Sequence, residues 1–236
     1  MNFSSVNIFF KRAEDIGLSF VALILLSPVL LGIALAVKLD SKGPVLFRQG
    51  RLTKDGKVFR MLKFRTMVEN AENMGTGLFS FENDARVTKI GNLLRRISLD
   101  ELPQLYNVLV GEMTLVGPRP PVSYELGKYE DLSVEQRKRF TVPQGITGLA
   151  QISGRNELPW EEKIKFDNQY VDLFTKYGVL IDLKILMLTI IHVFTAKDTY
   201  EVKDKTLADC TDEEIALKAK KGLLVKDEAK QAQKDK

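Results

Sequence analysis

The chain has 236 residues, 28% of them charged, and its 35 basic and 31 acidic side chains leave a net charge of only +4. A single cysteine, Cys210, and a single histidine, His192, exclude an intrachain disulfide and a zinc centre of the usual Cys/His kind. The tools left for chemistry are carboxylates, lysine, arginine, backbone amides and a divalent cation.

Asn2–Asp15 is a polar-to-apolar lead-in, expected to be helical and continuous with Ile16–Val37, a run of 22 residues without a charge. At about 1.5 Å per residue that run just crosses a bilayer. Ser27-Pro28 interrupts it. Pro28 has no N–H and crowds the carbonyl of Ile24, so a kink is expected there, and Ser27 can satisfy a freed backbone group. Both flanks are basic, with Lys11 and Arg12 before and Lys38, Lys42, Arg48 and Arg51 after. A spanning helix carries a one-sided bias. Two similar flanks suit a helix that enters the membrane, turns at Ser-Pro and leaves by the same face; an ordinary signal anchor with a tolerated proline is the plainer alternative. The basic residues lie beside this segment, which favours lipid headgroups or phosphorylated substrates over nucleic acid.

Val45–Arg51 and Lys57–Thr66 read as strands around an Asp55-Gly56 turn. Val68–Asn83 is a polar surface loop, and Val87–Ile97 and Asp100–Val110 are helices, the second stopped by Gly111. Val116–Val122, with three prolines, is extended and rigid. Ser133–Phe140 is a short charged helix, Pro143–Asn156 is irregular, and Pro159–Tyr177 is an amphipathic helix. Asp182–Ala196 opens on a candidate N-cap and is apolar around nearly its whole circumference. It is too short to span, and so either fills the core or lies along the membrane surface. His192 falls in it, as an interface histidine rather than a serine-triad base. From Lys197 the chain turns to Lys, Asp, Glu and Ala, with a helix start at Thr211–Glu214.

The stretch Arg95-Arg96-Ile97-Ser98-Leu99-Asp100-Glu101 carries two adjacent acids behind two adjacent arginines. Ser98-x-x-Glu101 is a capping-box pattern, and fastening a helix end is the bland reading. The chemical reading is that one carboxylate attacks phosphorus, as covalent catalysis allows, while its neighbour holds a cation. Phosphate-type donors surround the pair in sequence. Lys63 and Arg65 alternate on MLKFRTM and face one side of a strand. Arg119 is fixed between prolines, and Arg155 closes a glycine-rich stretch.

MLKFRTM, VTKIGNLLRRISLDELPQLYNVLVGEM, LVGPRPP, PQGITGLAQISGRN and DLKIL occur in the order seen in the bacterial sugar transferases, the monotopic phosphoglycosyl transferases that start glycan assembly on a polyprenol phosphate. The chain resembles that family over about residues 7–200, and its size is similar to the minimal members. The resemblance implies a re-entrant helix broken at Ser27-Pro28, a nucleophile at Asp100 and a Mg2+ ligand at Glu101. It implies substrate-binding residues at Lys63, Arg95 and Arg119, a nucleotide contact at Arg155, and a place for Asp182 in the same set with a role not derivable from sequence; Arg65 joins them from its alternation with Lys63. Leu149 departs from the tryptophan of many relatives, a lost ring expected to alter membrane contact or sugar preference.

The expected architecture is therefore α+β and mostly helical. It comprises a re-entrant membrane helix (1–40), a catalytic domain (41–200) with a small β-hairpin and interfacial amphipathic helices, and a charged tail (201–236). The expected reaction moves a sugar 1-phosphate from a UDP-sugar to undecaprenyl phosphate; the resemblance to the small members mildly favours N-acetylated donors and leaves glucose and galactose donors open. The expected setting is the cytoplasmic face of the inner membrane, with membrane lipids and a homodimer as the other partners. The rival from another class is a non-catalytic membrane-surface scaffold or regulator of polysaccharide assembly.

Overall fold

The computed structural model describes residues 5–74, 84–154 and 158–195. Arg155 and the tail from residue 196 lie outside the described residues.

Helix α1, Ser5–Asp40, dominates the chain: 36 residues, long and apolar enough to cross a membrane. It stays helical across Pro28, so the expected break does not interrupt it. Ser27 Oγ donates to the Ile24 carbonyl at 2.7 Å, the acceptor that Pro28 leaves without its helical donor. One face of α1 is covered by protein. Ala22, Leu23 and Leu26 pack on the main core, and Leu30, Ile33, Ala34 and Val37 on a second cluster with Phe64 and Leu94. The opposite face exposes Phe20, Val21, Ile24, Leu25, Leu31 and Leu35.

Both ends of α1 are fastened to the same folded domain. At the first, Lys11 Nζ donates to Asp182 and to the Val116 carbonyl, and Asp15 accepts from Thr114 and the Leu115 N–H. At the second, Asp40 accepts from the Ile90 N–H at 3.0 Å, and Arg65 donates to the Val37 and Ser41 carbonyls.

Strands β1 (Leu46–Leu52) and β2 (Val58–Phe64) form the expected antiparallel hairpin, with Leu46 opposite Phe64 and Leu52 opposite Val58. Asp55 and Gly56 both turn through positive φ. Gly56 is required twice over, because a Cβ there would lie 2.3 Å from the Tyr129 ring. Helix α2 (Lys89–Arg96) is capped by Thr88, whose Oγ accepts from the Gly91 N–H. Helix α3 (Gln104–Val110) ends at Gly111 in the left-handed region. The last carbonyls of α3, Val108 and Leu109, accept from Arg12, a cation at the negative end of a helix.

Strand β3 (Thr114–Val116) and strand β4 (Gly145–Thr147) pair in parallel. The stretch read as irregular thus holds a strand, followed by α5 (Leu149–Ser153). Glycines make this contact: a Cβ on Gly145 would sit 2.1 Å from the Gly117 nitrogen, and one on Gly148 2.1 Å from the Gly117 oxygen. Between the strands lies α4 (Val134–Lys138), opened by a complete Ser133–Gln136 capping box. Helix α6 (Trp160–Tyr177) supplies Tyr170, Val171 and Phe174 to the core. Helix α7 (Val179–Thr195) starts three residues before Asp182, which is therefore inside the helix and fully buried rather than capping it. Ile185 of α7 is in the core, while Leu180, Leu183, Met187, Ile190 and Ile191 are exposed. The helix is half core and half apolar surface.

Candidate active site

Asp100 and Glu101 occupy a single 3-10 turn, Leu99–Glu101, between α2 and α3. Ser98 before them has φ 56° and makes no capping bond from its side chain, so the capping box is not formed. The Glu101 carboxylate turns to cations instead. Its Oε1 accepts from Lys63 Nζ at 2.9 Å and from Arg119 at 2.7 Å. The three side chains are 20%, 18% and 34% exposed, which puts the cluster at the surface of the domain but out of bulk water. Asp100 is more deeply placed, 8% exposed, and no hydrogen bond or ion pair among the described residues occupies its carboxylate.

Burial pushes Asp100 up to about 6, and the neighbouring Glu101 adds to this against the pull of Lys63, Arg95 and Arg119. Burial also pushes Glu101 up, but Arg119 and Lys63 outweigh it and hold that carboxyl below the usual range. Burial draws the Lys63 ammonium down, with Glu101 opposing. The two adjacent acids are thus set apart: Glu101 is clamped by two cations and Asp100 is buried and unclaimed.

The extended Pro-Arg-Pro segment explains how Arg119 is aimed. Prolines donate no backbone hydrogen bond, and here four successive carbonyls each accept one. Pro118 O accepts from Gly145 N, Arg119 O from Arg139, Pro120 O from Arg51, and Pro121 O from Leu52 N, all between 2.5 and 3.0 Å. Arg95 is set by a 2.8 Å bond from its Nε to Thr66 Oγ.

The structure therefore gathers Lys63, Arg95, Arg119, Asp100 and Glu101. Arg65 goes elsewhere. β2 ends at Phe64, so the alternation that would have put Arg65 beside Lys63 stops one residue short. Its guanidinium is buried against the C-terminal carbonyl of Val37 and against Ser41. Asp182 is also remote from the pair. It accepts from Lys11 at 2.6 Å and from the Tyr170 hydroxyl at 2.8 Å, and both donors also reach the Val116 carbonyl. That node ties α1, β3, α6 and α7 together.

Sequence reasoning missed the buried ion pair of Arg139 with Asp167, 2.8 Å apart and 0% and 1% exposed. It also missed the cleft that Arg51, Trp160 and Lys163 form with Arg119. The lone tryptophan at the head of α6 was the available signal.

The sequence profile of the family described as Bacterial sugar transferase matches residues 6–196. The chain is 47% identical over 202 residues, 84% of its length, to the UDP-glucose:undecaprenyl-phosphate glucose-1-phosphate transferase of Escherichia coli strain K12, covering 43% of that protein. It is 40% identical to the galactosyl transferase CpsE of Streptococcus agalactiae, over 76% of this chain and 41% of that one. It is 39% identical to the exopolysaccharide production protein ExoY of Rhizobium meliloti, over 80% and 88%. The chain thus spans less than half the length of the glucose-1-phosphate transferase it matches.

Proposed function

The chain belongs to the bacterial sugar transferase family, and on that footing we propose that it transfers a sugar 1-phosphate from a UDP-sugar to undecaprenyl phosphate. Asp100 attacks the β-phosphorus, the bond to the UMP oxygen breaks, and an aspartyl-phosphosugar forms. A phosphate oxygen of undecaprenyl phosphate then attacks the same phosphorus. The aspartyl bond breaks, the polyprenyl-diphosphate sugar leaves and the carboxylate is restored. The observation that carries this reading is the division between the two acids. Asp100 is buried and unclaimed, while Glu101 beside it is held by Lys63 and Arg119. A turn built only to fasten a helix would have used Ser98, and it does not.

Lys63, Arg95 and Arg119 are the groups placed to meet the charge of the diphosphate. Mg2+ fits the donor set. It binds through one or two carboxylates together with substrate phosphates, and Glu101 Oε2 lies outside both bonds that hold Oε1. Among the described residues no group of three or more His, Cys, Asp or Glu forms, so an all-protein cage is not what this region builds. Glu101, with Asp100 adjacent, would hold the ion, which when bound supplies neutralisation of the diphosphate charge.

The scheme needs one soluble and one lipid substrate at a single carboxylate. In this reading α1 enters and leaves by the same face of the membrane, with the domain on the cytoplasmic side where nucleotide sugars occur. What supports this is the attachment of both ends of α1, 29 residues and about 44 Å of helix apart, to one domain. A helix with its ends on opposite sides of a bilayer would have to release one of them. Glucose and galactose donors, for which relatives are named, are the first to test, with N-acetylated donors beside them. In lipid nanodiscs, Asp100→Asn should abolish both UMP release and retention of label from a UDP-sugar labelled in its β-phosphate. Undiminished turnover in that variant would remove the nucleophile.

A further inference from the structure

A second cluster of charge adjoins the carboxylate pair and, apart from Arg119, has no part in the scheme above. Arg51, Arg119, Arg139 and Lys163 converge on one cleft, closed by Trp160 and Gln151. Two acids share it, and both are engaged: Glu125 accepts from the Val122 N–H at 2.9 Å, and Asp167 pairs with Arg139. Four cations against two committed anions leave the cleft positive. Arg139 is wholly buried, yet its Nε and Nη1 make no hydrogen bond, and neither does either amide atom of Gln151. Buried donors of this kind are costly unless something accepts from them. The Trp160 ring sits 5.2 Å from the Arg139 guanidinium and 5.2 Å from the Lys163 ammonium, which holds two cations at the cleft.

Two features say what kind of anion belongs there. Arg119 lines the cleft while its Nη2 reaches Glu101 at 2.7 Å, so cleft and carboxylate pair are contiguous. None of the lining residues comes from α1 or α7, the helices that carry the exposed apolar faces. The ligand therefore arrives from water rather than from lipid. Resting on the transferase reading, we infer that this cleft binds the nucleoside monophosphate half of the donor. Its phosphate lies among Arg119, Arg139 and Lys163, and the Gln151 amide, donor and acceptor at once, meets the base edge.

Trp160 is the only tryptophan in the chain, so its fluorescence reports the cleft directly. The test titrates UMP into the full-length protein in nanodiscs, with no acceptor present, and follows that signal. A saturable change is expected in the wild type and in Asp100→Asn alike. Lys163→Glu should weaken it roughly tenfold or more, and Lys163→Arg should restore it. Equal UMP affinity in wild type and Lys163→Glu overturns the inference, as does a signal that moves with undecaprenyl phosphate and not with UMP. Failure here is separable from failure of the transferase reading. Turnover with unchanged KM for the donor in Lys163→Glu would sink the cleft alone. UMP binding without turnover on any UDP-sugar would sink the reaction alone.

Discussion

Replacing Lys11 by Met removes the single cation from a buried node that holds Asp182, Asp15 and the Tyr170 hydroxyl. Lys11 and Asp182 have side chains 6% and 1% exposed and lie 2.6 Å apart. Removing one partner of such a pair costs about 3–5 kcal/mol, mostly because the other charge is left stranded. For a chain of this size that is on the order of 10 °C in unfolding midpoint. Lys11→Met/Asp182→Leu, which removes both charges, should regain most of the loss. The assay is thermal unfolding of the detergent-solubilised protein, with the two single variants and the double variant forming a cycle. Acidity supplies a second arm. Burial already raises Asp182, with Lys11 and Tyr170 opposing. Without Lys11 its folded pKa rises further above the unfolded value. A group raised on folding contributes stability that is present at low pH and lost as pH rises through the folded pKa. The deficit of Lys11→Met should therefore narrow as the pH is lowered and Asp182 takes up its proton. Equal midpoints for the Lys11 single and the double variant, or a deficit that widens in acid, would refute the account.

Two further outcomes follow from the hairpin and the clamp. Gly56→Ala forces a Cβ onto the Tyr129 ring at a backbone φ of 73°, and should destabilise the protein by about 1–3 kcal/mol by unfolding midpoint. Glu101→Gln keeps the shape but removes the charge that holds Lys63 and Arg119. UMP release should fall by about 10²-fold or more and become insensitive to Mg2+. Full wild-type rate in excess EDTA would remove the ion from the scheme.

The features legible in the sequence were those encoded locally. Asp55-Gly56 specified its hairpin because turn chemistry acts over two residues, and the short charged helix read at Ser133–Phe140 forms as α4, fixed locally by Ser133 and Gln136. The reactive pair was legible as a pattern, but its surroundings were decided by distant segments. Ser98 looked like a cap and adopted a left-handed φ instead, because Glu101 is drawn to Lys63, 38 positions away. Arg65 was misplaced because strand alternation holds only while the strand lasts. The strands β3 and β4 are three residues each and depend on glycine backbones meeting face to face, which no periodicity reveals. Arg139 sat in the stretch read as a short charged helix, yet its partner is 28 positions on and both are buried.

The bond between Lys11 and Asp182 spans 171 positions, and this has a bearing on how the chain is made. At the usual pace of translation, roughly ten to thirty seconds separate the two residues as they are synthesised. Through that interval the first helix is complete but its root charges have no mate, and the domain it will join does not yet exist. A nascent chain that stalls before residue 182 would leave an ammonium with nowhere to go but the membrane surface. Completion of α7, which carries Asp182, is therefore the step that seals the root of the first helix.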